Sequence, residues 1–266
     1  MMPKLILKSL TASCVVVMMT WGAVAQETKP FEPSYGQPGK DVVWVPTAQA
    51  LVDRMLDMAK LTPQDILFDL GSGDGRTVIT AAKRGAKATG IEYNPDMVAL
   101  SQRNAAAAGV GDRAIFVQGD IFTSDFSKAT VITLFLLPDL NLRLRPTLLD
   151  MKPGTRVVSN SFDMAEWTPD SDVSAAGECE RYCRAMLWII PAKVAGTWQT
   201  PRGNLTLTQR FQMVSGTLGT ARVSNGRVNG EDISFTVGER TYKGRVTGNR
   251  MEGTISDGGK WQATRR

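Results

Sequence analysis

The apolar positions of this chain change their period twice. Leu51, Met55, Met58 and Ala59 recur at helical spacing, which predicts a helix opening near Val45-Pro46-Thr47, with Thr47 as its N-cap and Thr62-Pro63 as its stop. Short apolar runs then alternate with helical stretches. Strands are expected at Ile66 to Leu70, Ala88 to Glu92, Ala114 to Gln118, Val131 to Leu136 and Arg156 to Ser159. Helices are expected between them: Asp74 to Arg84 stopped by Gly85, a second opened by Asn94-Pro95 and closed by Gly109, and a third from Leu140 to Met151. Such β-α-β-α order demands right-handed crossovers, so the fold class is α/β, a doubly wound, Rossmann-like and mainly parallel sheet. After Pro191 the helical period is lost. Runs such as Ile233-Ser-Phe-Thr-Val alternate apolar with polar between frequent glycines, which predicts a small antiparallel β meander, open or closed, with Trp198 and Trp261 near its two ends.

Four segments follow from this pattern: 1–25, 26–43, 44–191 and 192–266. The first carries Lys4 and Lys8, an apolar run from Cys14 to Met19, and Ala23-Val24-Ala25, the order of a signal peptide cleaved after Ala25. Export to a bacterial periplasm is the expectation. The second segment, rich in proline, glycine and charge, reads as a linker. The third is the α/β domain and the fourth the β domain. Net charge is +5, distributed as +2, −4 and +7 over residues 1–25, 26–191 and 192–266. The basic end could meet an anionic envelope surface, although a solvated face explains it as well. Cys179 and Cys183 remain after the leader. Their spacing suits both a short disulfide loop and one face of a helix, and both readings stay open.

The chain contains no histidine, which excludes Ser-His-Asp and Cys-His nucleophile systems and imidazole-dependent metal sites; no metal is expected. Chemistry is therefore sought in positioning. Asp69-Leu-Gly71-Ser72-Gly73-Asp-Gly75 falls where a strand passes into a helix, and no Lys-Ser or Lys-Thr follows it as a P-loop would require. Glu92 ends the second strand about 20 residues on, the placement of a carboxylate that accepts ribose hydroxyls. Asp120, after Gly119 at the next strand end, can accept from an adenine amino group while Ile121 covers the ring. Three carboxylates would repel a diphosphate and attract a cationic adenosine ligand.

These residues, with Gly90-Ile-Glu92-Tyr-Asn94-Pro95 and Gln118-Gly119-Asp120, resemble the motifs of class I S-adenosylmethionine-dependent methyltransferases over about residues 44 to 190. Within that class, Val45-Pro-Thr, Leu-Gly-Ser-Gly-Asp-Gly-Arg and Phe162 through Trp167-Thr-Pro-Asp170 resemble the mitochondrial lysine methyltransferases that act on ATP synthase and on the adenine nucleotide carrier. The resemblance implies S-adenosyl-L-methionine as cofactor, held by Asp69, Gly71, Ser72, Gly73, Gly75, Glu92, Asn94, Asp120 and Ile121, and a protein lysine as acceptor. No catalytic residue is assigned. Phe135-Leu-Leu-Pro138 stands where amide and amino-base methylases keep an Asn-Pro-Pro-Tyr type motif, so a nucleic-acid substrate is not expected. Trp44, Phe135, Phe162 and Trp167 are candidates for an apolar acceptor wall. Because a charged cofactor crosses membranes poorly, an alternative is an exported, non-enzymatic envelope protein that binds an adenosine-like ligand.

Overall fold

In the computed structural model, which describes Met1, residues 30–175, Gly177 and residues 179–266, the first strand, β1 (Ile66–Leu70), lies inside a seven-stranded sheet, third in order. The leader expected at 1–25 lies, apart from Met1, outside the described residues. Successive crossovers place β2 (Lys87–Glu92) and β3 (Ala114–Gln118) on one side of β1. The chain then returns to add β4 (Val131–Leu134) and β5 (Arg156–Asn160) on the other. All four of these pairings are parallel. The antiparallel hairpin of β6 (Ser171–Ser174) and β7 (Arg184–Ile189) completes the order β3-β2-β1-β4-β5-β7-β6. The order reverses between β1 and β4, and a crevice opens there at the carboxyl ends of the strands.

Helices cover both faces, as their apolar stripes require. Helices α1 (Gln49–Met58), α2 (Arg76–Lys83) and α3 (Pro95–Ala107) bury Leu51, Leu56, Val78 and Val98 against one face. Helix α4 (Pro138–Leu149) buries Leu144 and Leu148 against the other. Local chemistry sets several boundaries. Gly75 adopts φ +83°, so α2 begins after it rather than at Asp74. Pro138 occupies the first turn of α4, two residues ahead of the expected start. The fourth strand ends at Leu134 because Phe135 and Leu136 leave the sheet to line the crevice. Thr47 is not the N-cap of α1. That position is Ala48, without a side-chain bond, while the Thr47 hydroxyl accepts from Asn160 Nδ2 at 3.2 Å.

The segment read as a linker is folded over residues 36–44. Pro38 bridges Val43, the Gly36 amide donates to the Trp44 carbonyl and the Trp44 amide donates to the Gln37 carbonyl, making a tight strap. Cys179 and Cys183 form a disulfide.

From β8 (Gly196–Thr200) to β15 (Lys260–Arg265) the meander closes into an eight-stranded antiparallel barrel. Closure removes the exposed edges that an open sheet would leave. Its interior is filled by alternate residues such as Leu205, Val223, Phe235, Tyr242 and Trp261. Glu32–Arg266 is one compact unit, and the barrel packs on the α/β layer through specific contacts. Trp167 stacks on Phe211 with ring centroids 5.8 Å apart, and Gln212 Nε2 donates to the Thr168 carbonyl at 2.7 Å. The Asp170 carboxylate receives Arg227 at 2.5 Å and the Ile189 amide at 2.8 Å.

Truncating the fully buried Trp167 to alanine is expected to cost about 3–5 kcal/mol of stability, the usual scale for a buried tryptophan. Urea unfolding of Trp167→Ala measures it.

Candidate active site

The crevice is built from the loops that follow β1, β2, β3 and β4, and the strap from 37 to 45 closes its outer side. The loop after β1 turns on Gly71, Gly73 and Gly75, all at positive φ. Two of these glycines are also demanded by close approach. A Cβ on Gly73 would lie 2.9 Å from Trp44 Nε1, and one on Gly75 would lie 2.7 Å from Phe116 Cζ. The Glu92 carboxylate fixes this loop by accepting the Gly73 amide at 2.9 Å, while its second oxygen accepts the Asn94 amide at 3.0 Å. Carboxylate oxygens accept more than one bond, so Glu92 keeps lone pairs for hydroxyl donors in the crevice. Asn94 caps α3 by accepting from Asp96 N at 2.9 Å.

Asp69 sits below this loop, 7% exposed, and accepts from Thr133 Oγ1 at 2.6 Å. Burial pushes its carboxyl up to about 7; the Thr133 bond opposes the shift, and the charges of Glu92 and Asp74 add to it. Asp120 and Ile121 line the crevice on its β3 side. Asp120 accepts the Phe122 amide at 2.9 Å through one oxygen and Lys40 Nζ at 2.7 Å through the other. That hydrogen bond raises the Lys40 pKa and lowers the Asp120 pKa. Lys40 also lies 4.5 Å from the centre of the Tyr93 ring. Ser72 Oγ is buried and has no hydrogen-bond partner among the described residues.

The nine residues expected at a cofactor thus gather at one end of the sheet, Asp69 and Glu92 at the ends of β1 and β2 and the other seven in the loops after β1, β2 and β3. Of the four candidate wall residues, Trp44 and Phe135 line the crevice and Phe162 lines the adjoining hollow. Trp167 does not, because it is buried in the contact with the barrel. The strap was not visible in the pattern of the sequence. Its signal was Trp44 alone, since Lys40 reaches Asp120 across 80 residues.

A cationic adenosine ligand fits these groups. Glu92 would take the ribose hydroxyls, Asp120 and Ile121 the adenine, and the turn from Gly71 to Gly73 above Asp69 the amino-acid end. When bound, S-adenosylmethionine supplies a methyl group on a positively charged sulfur. Asp69 and Ser72 lie behind the turn rather than in the lining of the crevice, so they would act on such a ligand through the turn they support.

The comparisons with known proteins agree. Residues 69–171 match the ANTKMT methyltransferase domain family, and residues 24–109 match the histone methylation protein DOT1 family. A solved structure from Salinibacter ruber, described as an RNA methyltransferase in complex with S-adenosyl-L-homocysteine, is 48% identical. It aligns with a TM-score of 0.53 over 56% of this chain and 96% of its own. Fold and site therefore define a class I S-adenosylmethionine-dependent methyltransferase. A protein-lysine N-methyltransferase from Saccharolobus islandicus is 47% identical over 131 residues, 48% of this chain and 81% of that protein. The chain belongs to its family. The adenine nucleotide translocase lysine N-methyltransferase of Mus musculus is 31% identical over 139 residues, 52% of this chain, and the match spans 59% of that protein's length. The enzymatic reading replaces the non-enzymatic alternative.

Two outcomes test the site. A carboxyl held at about 7 in the folded state and at its ordinary 3.8 in the unfolded state makes stability fall as pH rises between those values. Asp69→Asn removes this burden, so its unfolding free energy should exceed that of the parent by on the order of 4 kcal/mol at pH 8 and match it below pH 4. Lys40→Met frees the Asp120 carboxylate and should tighten S-adenosylhomocysteine binding about threefold in calorimetry, the scale of an exposed ion pair.

Proposed function

We propose that the protein is an exported S-adenosylmethionine-dependent protein-lysine N-methyltransferase. The observation that carries the lysine assignment is the 47% identity over 131 residues to a protein-lysine N-methyltransferase, a match that spans 81% of that protein. Charge supports it. Residues 26–191, which build the site, carry a net −4, a poor surface for a polyanionic RNA. Methyl transfer from a sulfonium is an in-line displacement, so this chain's work is alignment and the exclusion of water. An acceptor lysine must be neutral to attack, and apolar surroundings disfavour its ammonium form. The crevice supplies such surroundings in Trp44, Phe135 and Leu136, and no histidine is required.

Export rests on the leader pattern of residues 1–25, and the Cys179–Cys183 bridge suits an oxidising compartment. The barrel, with the +7 of residues 192–266, is proposed to hold the enzyme near an anionic envelope surface.

Incubating the enzyme with methyl-labelled S-adenosylmethionine and envelope or total extracts tests the acceptor. Label is expected as methyl-lysine in protein hydrolysates; label recovered only in RNA would overturn the lysine assignment. N-terminal sequencing of the protein from cells should begin at Gln26, and an intact Met1 would overturn cleavage.

A further inference from the structure

Next to the cofactor crevice lies a second hollow of about 360 Å³, which shares Phe135, Val45 and the strap with it. Three aromatic rings meet there from three loops. Phe135 follows β4, Phe162 follows β5, and Tyr182 precedes β7. Their centroids are 6.1 Å apart for Phe135 and Phe162, 5.2 Å for Phe135 and Tyr182, and 6.0 Å for Phe162 and Tyr182. Tyr182 is the outlier of the three. It is 42% exposed and adopts φ +56°, a left-handed conformation rare for a tyrosine. Such backbone persists where the surroundings over-determine it. Here the five-residue loop is closed by Cys179–Cys183, and the Ala175 amide donates to the Cys183 carbonyl at 2.7 Å. The Ser161 amide donates to the Arg184 carbonyl at 2.8 Å, which joins the Phe162 loop to the Tyr182 loop.

We propose that Phe135, Phe162 and Tyr182 form the pocket that receives the alkylamine side chain of the acceptor, and that the Cys179–Cys183 bridge is the brace that keeps Tyr182 in place. This rests on the lysine reading above. Three rings offer apolar faces to a four-carbon stem, and their quadrupoles attract an ammonium or a methylated amine. A base could stack on the same rings. The net −4 of residues 26–191, with Lys40 and Asp41 side by side at the rim, favours an amine over a phosphate-bearing ligand. The cysteines act through Tyr182 and are positioning residues.

The test uses the full chain saturated with S-adenosylhomocysteine and titrated with Nα-acetyl-lysine methylamide, followed by broadening of the probe's methylene signals in NMR. Cofactor-product affinity is measured beside it by calorimetry. Tyr182→Ala and the double substitution Cys179→Ser/Cys183→Ser should weaken the probe about fivefold, the scale of one aromatic contact, with S-adenosylhomocysteine affinity unchanged. Tyr182→Phe should bind as the parent does. No probe binding by the parent, equal binding by Tyr182→Ala, parallel loss of S-adenosylhomocysteine, or preference for cytidine monophosphate would each overturn the pocket. Methyl-lysine formation with Tyr182-independent probe binding would end the pocket and keep the lysine reading. Tyr182-dependent probe binding without methyl-lysine in any fraction would do the reverse.

Discussion

The Glu92 carboxylate is the group on which the site depends. It takes the amides of Gly73 and Asn94, and so ties the glycine turn after β1 to the start of α3 after β2. Charge-assisted bonds from backbone amides are strong and short, and these two fix the loops before any ligand arrives. Asn94 extends the tie by capping α3, whose Ser101 hydroxyl returns to the Gly73 carbonyl at 2.8 Å. The turn is thus held from above and behind. That arrangement also concentrates negative charge at one end of the sheet. Asp69 lies beneath the same turn, and burial together with Glu92 and Asp74 keeps its carboxyl protonated toward neutral pH. A cation in the crevice would offset what the carboxylates cost one another. The electrostatic strain of these loops and the identity of the cofactor are one property.

Much of this was legible because it is local. The strand, glycine turn and helix at 66–83 follow from short-range residue types, and Asn94-Pro95 declares the start of α3 within two residues. The parallel sheet follows from the alternation of those units. Long-range pairings left weaker traces. Thr47 has the composition of an N-cap, yet its hydroxyl is taken by Asn160 across 113 residues. The strap looks like a linker because proline and glycine fill it, although Lys40 and Trp44 make it a wall of the site. The β6–β7 hairpin has no helical crossover to announce it, and the disulfide pairing depends on a loop geometry that spacing alone does not fix.

Trp167 shows how one residue can be read in two ways. Its motif, Trp167-Thr-Pro-Asp170, marks the family resemblance and suggests a wall of the acceptor site. In the structure Trp167 stacks on Phe211, Thr168 accepts from Gln212, and Asp170 pairs with Arg227, all three partners lying in the barrel. The segment therefore serves as the seat of the barrel. A buried carboxylate such as Asp170 needs its partner, because loss of one member leaves an uncompensated charge. This makes the barrel part of the stability of the α/β unit rather than a tethered appendage.

The acceptor side of the site is then left to Phe135, Phe162 and Tyr182, which come from the ends of β4 and β5 and from the loop before β7. Strands fix the first two, whereas Tyr182 stands on a short loop in a backbone conformation that its own side chain disfavours. Rigid elements place a group more precisely than loops do, unless the loop is cross-linked. The Cys179–Cys183 bridge supplies that cross-link in the loop that carries Tyr182. A cross-linked loop of this kind can serve as a fixed part of the site, and under the proposed export it would form in an oxidising compartment.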